Sequence, residues 1–78
     1  MSDYIPIDCD PYCRYELAIL HRQRLRVIWR EPGGATHLET LLPLDLQTRH
    51  HAEYLLAVSG DGARRVLRLD RILRADPL

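Results

Sequence analysis

The sequence has no lysine, no phenylalanine and no apolar run that approaches the roughly 18 residues of a membrane span. Its first residues, Met1-Ser2-Asp3-Tyr4, also lack the basic and then apolar segments of a secretory signal peptide. These absences argue against an exported or membrane-bound chain and predict a cytoplasmic protein with no membrane partner. The sequence has only two cysteines, and because thiols stay reduced in the cytoplasm we predict no disulfide.

Charge is balanced over the whole chain but not along it. Eleven arginines face eleven acids, so the net charge is zero with the histidines neutral. Residues 1–20 carry four acids and one arginine, whereas the chain from residue 21 onward carries ten arginines and seven acids. Such an asymmetry bears on binding partners rather than on the fold.

A chain of 78 residues forms one domain with a core too small for a deep catalytic cleft. We therefore predict a single domain, residues 1–78, that is not an enzyme and needs no cofactor.

The N-terminal part of the sequence predicts an extended arm followed by a helix. Ile5-Pro6-Ile7 favours extended backbone in an arm over residues 1–9, because proline fixes its own φ and restricts the residue before it. Asp10-Pro11 is typical of a helix start, with an aspartate cap and a proline in the first turn. We predict a helix over residues 10–21, with an inward stripe formed by Cys13, Leu17 and Leu20.

Residues 25–74 predict five short antiparallel strands. Alternation places Leu25, Val27 and Trp29 on one face of the first strand, which we assign to the core. Pro43 interrupts the second strand, where we expect a bulge or bend, and the polar residues 47–51 predict an exposed loop. The predicted strands cover residues 25–31, 36–42, 53–59, 64–70 and 71–74. Because closure hides the edges of a small sheet, the pattern predicts a mainly β, α+β fold, with one helix and a strongly bent sheet or small barrel.

Two other functions have some support in the residue types. Cys9, Cys13, His50 and His51 are possible zinc ligands, but their spacing is not that of a zinc knuckle, so we predict no metal. The arginines, the tyrosines and Trp29 are the residue types of an RNA-binding surface. The isoelectric point of about 6.9 and the absence of an RNP-type motif disfavour direct RNA binding, which we keep as the alternative.

Three blocks of the sequence resemble a known family. They are Tyr4-x-Pro6-Ile7-x-Cys9-Asp10-x-Tyr12 with Glu16-Leu17-Ala18, then Asp45-Leu46-x-x-Arg49-x-x-x-Glu53-Tyr54-Leu55, and finally Arg68-Leu69-Asp70-Arg71-Ile72. In this order they resemble the Rof (YaeO) family of small bacterial inhibitors of the transcription termination factor Rho.

That resemblance implies an Sm-like fold, with an N-terminal helix on a bent five-stranded antiparallel sheet. It also implies that the protein inhibits Rho-dependent termination by binding the N-terminal RNA-binding region of Rho and blocking its primary RNA site. An acidic helix with tyrosines fits such a basic site, since it resembles a nucleic-acid strand in charge and shape. An Sm-like module that binds RNA directly is the alternative, and we predict a monomer. The residues expected to contact Rho are Asp8, Asp10, Tyr12, Glu16, Arg49, His50 and His51.

Overall fold

The computed structural model describes the backbone from residue 9 onward and the side chains from residue 12 onward. The predicted arm up to residue 8, including Asp8, and the side chain of Asp10 therefore lie outside the described residues. The elements are α1 (Cys9–Leu20), β1 (Leu25–Arg30), β2 (Thr36–Arg49), β3 (Ala52–Ser59), β4 (Arg64–Arg68), a 3-10 turn η1 (Leu69–Arg71) and β5 (Ile72–Pro77).

The five strands form one antiparallel sheet in the order β4-β3-β2-β1-β5. This confirms the predicted α+β architecture of an N-terminal helix followed by a five-stranded antiparallel sheet. The small barrel is not seen, because β4 and β5 are the two edges of the sheet and do not pair within the described residues. Short turns join β3 to its neighbours β2 and β4. No hydrogen-bonded pairing joins β4 to β5 in the described part of the chain, so the sheet stays open.

β2 is the central strand, and it is longer than the sequence predicts. Its first part pairs with β1 and its later part, from Leu41 onward, pairs with β3. The expected irregularity near Pro43 is confirmed, because the register shifts between Pro43 and Asp45 and leaves Leu44 as the extra residue. The predicted loop over residues 47–51 is wrong apart from its last two residues. Strand pairing with β3 satisfies the backbone of this polar segment, so it needs no apolar repeat to stay extended.

The core lies between α1 and one face of the sheet. Leu25, Val27 and Trp29 are all buried, as the alternation in β1 predicts. Val27, Leu41 and Leu55 have essentially no exposed surface. The remaining buried members of the cluster are Tyr15, Ala18, Ala57, Leu67 and Leu69.

The predicted inward face of the helix is wrong. Leu17 is 55% exposed, Leu20 is 74% exposed and Cys13 is also exposed. The face that joins the core carries Tyr15 and Ala18, with Tyr12 and Ile19 packed against it. This stripe has helical spacing too, and the small Ala18 lets the backbone approach the sheet while Tyr15 buries a large ring.

Candidate functional site

The β1–β2 hairpin extends past the end of β3 and leaves a cleft beside β4. Leu41 is the first residue of β2 that pairs with β3, through Ser59, so the part of β2 before it pairs with β1 alone. The open space between this part of β2 and strand β4 has a volume of about 550 Å³. Its buried lining is formed by Trp29 and Leu67.

Arginine dominates the rest of the lining. We call this space the arginine cleft, and its charged lining residues are Arg30, Arg64, Arg65, Arg68, Arg71, Glu31 and Glu39. The excess is three positive charges. Arg30 and Arg64 are exposed and form no ion pair within the part of the chain that the structure describes. Guanidinium groups in this state are available to bind carboxylate or phosphate groups from solution.

One ion pair crosses the cleft. Arg65 on β4 donates from Nε to Glu39 Oε1 at 2.9 Å and from Nη2 to Glu39 Oε2 at 3.4 Å. The hydrogen bond to Glu39, and then its charge, raise the pKa of the Arg65 guanidinium above its already high ordinary value. Arg65 therefore stays positively charged over the ordinary pH range, as arginine does in proteins generally. Both side chains are partly exposed, so solvent and salt screen their attraction.

A second ion pair lies at the end of β4 and is more buried. Arg68 donates from Nε to Asp70 Oδ1 at 2.7 Å and from Nη2 to Asp70 Oδ2 at 2.9 Å. The two side chains are only 16% and 7% exposed. The two residues lie two positions apart, so this pair ties the end of β4 to the 3-10 turn η1, which also carries the cleft residue Arg71.

Two rings are stacked within the cleft lining. Trp29 and His37 are cross-strand partners on β1 and β2, and their ring centroids are 5.3 Å apart with planes inclined by 22°. His37 Nε2 lies 3.1 Å from Glu31 Oε1, but this nitrogen is buried and makes no aligned hydrogen bond. The His37 imidazole and the Glu31 carboxylate are thus close without a well-aligned hydrogen bond. His37 Nε2 has no hydrogen-bond partner among the described residues.

The residues that the sequence singled out lie elsewhere. Tyr12 and Glu16 on α1 line a shallow depression of about 500 Å³ beside Asp45 on β2. Burial raises the pKa of Tyr12, and the charges of Glu53 and Glu16 raise it further. Neither residue lines the arginine cleft.

The other predicted contact residues lie at the tight turn between β2 and β3. Arg49, His50 and His51 are all exposed there, and the two histidines have φ angles of 49° and 66°. Among the side chains from residue 12 onward, no group of three or more His, Cys, Asp or Glu converges as a metal site would require. None of these three residues lines the arginine cleft or the depression beside Tyr12 and Glu16.

The sequence contains one local signal of the cleft, a cluster of arginines. Four arginines fall within the eight residues 64–71, and all four line the cleft, three from β4 and Arg71 from the turn that follows it. Arg30 joins them only through the tertiary fold, because it lies on β1, three strands away from β4 in the sheet.

The fold and the cleft together define a small α+β domain with an arginine-rich cleft beside the edge strand β4. The family model of the WYL domain matches residues 15–77, so the chain belongs to the WYL domain family. Among curated proteins none matches. A solved structure that is similar is the proteasome accessory factor B/C (PafBC) of Arthrobacter aurescens, with a TM-score of 0.79 and 19% sequence identity.

The likeness to PafBC shows the fold and covers only part of that protein. The match includes 96% of this chain but 12% of the PafBC chain. The present chain therefore corresponds in fold to a small portion of a much longer protein.

The Rof resemblance is wrong. Its second and third blocks, which include Tyr54 and Arg68, lie inside the region that matches the WYL domain, and much of its first block lies before residue 15. Inhibition of Rho is overturned with it, and neither the family match nor the PafBC likeness supports an Sm-like RNA-binding module. A partner-binding role for the seven residues assigned through that resemblance no longer has this basis and stays an untested prediction.

No helix in the described part of the chain is both long and apolar enough to cross a membrane.

Proposed function

We propose that this WYL domain is a ligand-sensing regulatory domain whose arginine cleft binds a small organic anion. The observation that carries the proposal is the convergence of five arginines in one cleft, of which Arg30 and Arg64 have no ion-pair partner among the described residues. Five arginines against two carboxylates give the lining an excess of positive charge, which attracts an anion into the cleft.

The size and lining of the cleft support a small ligand. Ligand-binding clefts usually have volumes of ~300–1,000 Å³, and the arginine cleft has about 550 Å³. The ring of His37, which stacks on the buried ring of Trp29, lies in the lining of the cleft beside the guanidinium groups. A ligand with one planar part and one or two carboxylate or phosphate groups fits this combination.

A regulatory role is favoured over catalysis by the chemistry of the cleft. Its side chains offer hydrogen-bond donors and two carboxylates, but no cysteine, serine or threonine stands next to a base as a nucleophile. We infer that the site binds its ligand without converting it, and that ligand binding alters the activity of a larger protein. The process regulated is transcription. The family match and the fold likeness to part of PafBC support this setting. A monomeric state and a cytoplasmic location, both predicted from the sequence, remain part of the proposal.

The proposal is tested by titrating anions while following the fluorescence of the single tryptophan, Trp29, which lies in the cleft lining. Inorganic pyrophosphate and citrate serve as phosphate and carboxylate probes. We expect both to bind, and the double substitution Arg30→Gln with Arg64→Gln to weaken binding at least tenfold. Each lost charge-assisted hydrogen bond costs on the order of 1.5–3 kcal/mol.

The matched control is Arg24→Gln with Arg26→Gln. These two arginines are also exposed, but they do not line the cleft. The control should bind both probes as the wild type does. Equal losses from the two double variants, or no binding of either probe by the wild type at millimolar concentration, would contradict the proposed function.

A further inference from the structure

The ion pair across the arginine cleft has the geometry of a bound ligand. Arg65 offers Nε and Nη2 to two separate oxygens of one carboxylate, which is the forked arrangement that arginine uses for a carboxylate or phosphate ligand. The carboxylate that occupies this fork belongs to Glu39 of the same chain. An incoming oxyanion that uses Arg65 must therefore compete with Glu39.

We propose that Glu39 is a built-in competitor that holds Arg65 in the ligand-free domain and is displaced when an oxyanion binds in the cleft. This inference rests on the proposed function and specifies how the site is regulated. The expected ligand carries a carboxylate or phosphate group with two oxygens that Arg65 can bind at once. The same ligand also contacts Arg30 or Arg64.

The exposure of the pair makes displacement feasible. The side chains of Arg65 and Glu39 are 39% and 28% exposed, so solvent reaches both and can hydrate Glu39 once it leaves. An ion pair with this exposure is weak, because water and salt screen it. A ligand that binds Arg65 and also Arg30 or Arg64 makes ion pairs that Glu39 does not make. These additional ion pairs favour the ligand over Glu39.

The other ion pair of the cleft lacks these properties. Arg68 and Asp70 are nearly buried and lie two residues apart, so they hold a local turn together whether or not a ligand is present. Arg65 and Glu39 are 26 positions apart in sequence and join β4 to the part of β2 that pairs only with β1. Loss of this pair breaks a contact between β4 and β2. The two strands can then move relative to each other, and that movement can be transmitted to the rest of a larger protein.

The test compares Glu39→Gln with Asp76→Asn. Glutamine keeps the size of Glu39 and removes its negative charge, so we expect pyrophosphate and citrate to bind about two- to fivefold more tightly, as the loss of a weak exposed competitor implies. Asp76→Asn removes the charge of the exposed Arg74–Asp76 pair on β5, outside the cleft, and should leave both affinities unchanged. Trp29 fluorescence reports binding in all three proteins.

A second readout follows the exchange itself. The Nε–Hε resonance of Arg65, assigned from its loss in Arg65→Lys, should shift when pyrophosphate binds to the wild type and should start from a different position in Glu39→Gln. Equal dissociation constants for wild type and Glu39→Gln, or weaker binding by Glu39→Gln, would overturn the displacement while leaving the proposed function standing. If none of the three proteins binds either probe, the proposed function fails and the displacement fails with it.

Discussion

Tyr15 is a titratable side chain in the core beneath α1. It is 5% exposed, and burial raises the pKa of its phenol above the ordinary value near 10. The folded state therefore favours the neutral phenol, whereas the unfolded chain ionises at the ordinary value. The stability that this group contributes is fully present below about pH 10 and is lost as the pH rises through the raised folded pKa.

We predict that Tyr15→Phe flattens the alkaline limb of stability. The variant keeps the buried ring and removes the group that titrates, so its free energy of unfolding should fall less steeply above about pH 10 than that of the wild type. Urea denaturation followed by circular dichroism at several pH values from 7 to 11 measures this. Parallel curves for the two proteins above pH 10 would show that Tyr15 does not set the alkaline limit.

The sequence predicts the helix α1 but leaves ambiguous which of its faces packs against the sheet. Two stripes have helical spacing, one through Leu17 and Leu20 and one through Tyr15 and Ala18, and the sheet covers the second. Periodicity identified the helix, but it gave no means of choosing between a leucine stripe and a tyrosine–alanine stripe. That choice depends on how closely the backbone approaches the sheet, which is a tertiary property.

We predict that Leu17→Gln with Leu20→Gln changes stability by less than about 1 kcal/mol in total, as exposed substitutions usually do. Leu55→Ala is the contrast, since this side chain has no exposed surface and its truncation should cost about 2–5 kcal/mol. Thermal unfolding of the three proteins provides the comparison. A loss of several kcal/mol in the double glutamine variant would mean that the leucine stripe faces the core after all.

The strands show why some elements were predictable and others were not. β1 carries a clean two-residue alternation, and its buried face was predicted correctly through Trp29. β2 passes from one partner to another with an extra residue at Leu44, so its inward positions change parity and no single alternation describes it. Its C-terminal part looked like a loop because pairing with β3, rather than its own side chains, keeps it extended.

The candidate site and the family were harder to predict than the fold. Arg30 and Arg64 are far apart in sequence, and only the overhanging hairpin brings them to one cleft. The blocks read as Rof-like are short, and such motifs as Glu53-Tyr54-Leu55 and Leu69-Asp70-Arg71 serve a strand and a turn in this sheet. Short blocks that satisfy local strand and turn requirements do not discriminate between families that share them.

At the scale of the whole molecule, both edges of the sheet carry arginine. β4 presents the exposed Arg64, and β5 presents the exposed Arg74–Asp76 pair and ends at Pro77. Charged side chains on exposed edge strands oppose pairing between the sheets of two molecules. We therefore predict a monomer of 9.1 kDa at ordinary salt, in agreement with the expectation from the sequence.

Sedimentation velocity at micromolar concentration measures this. Self-association should stay absent at low salt and increase, if anywhere, at about 1 M salt, where charges are screened within ~3 Å. An oligomer that is stable at low salt and insensitive to added salt would contradict the argument from edge charge.

The position of β1 between β2 and β5 has a consequence for the time course of synthesis. Leu25 pairs with Leu41 on one side and with Pro77 on the other, so the second partner lies about fifty residues further along the chain. Ribosomes add about 5–20 residues per second, which leaves one side of β1 without its partner for roughly 2–7 seconds between the synthesis of Leu41 and that of Pro77. During that interval the nascent chain presents a bare strand beside Trp29. It is the segment at which we expect chaperones to bind and neighbouring nascent chains to mispair.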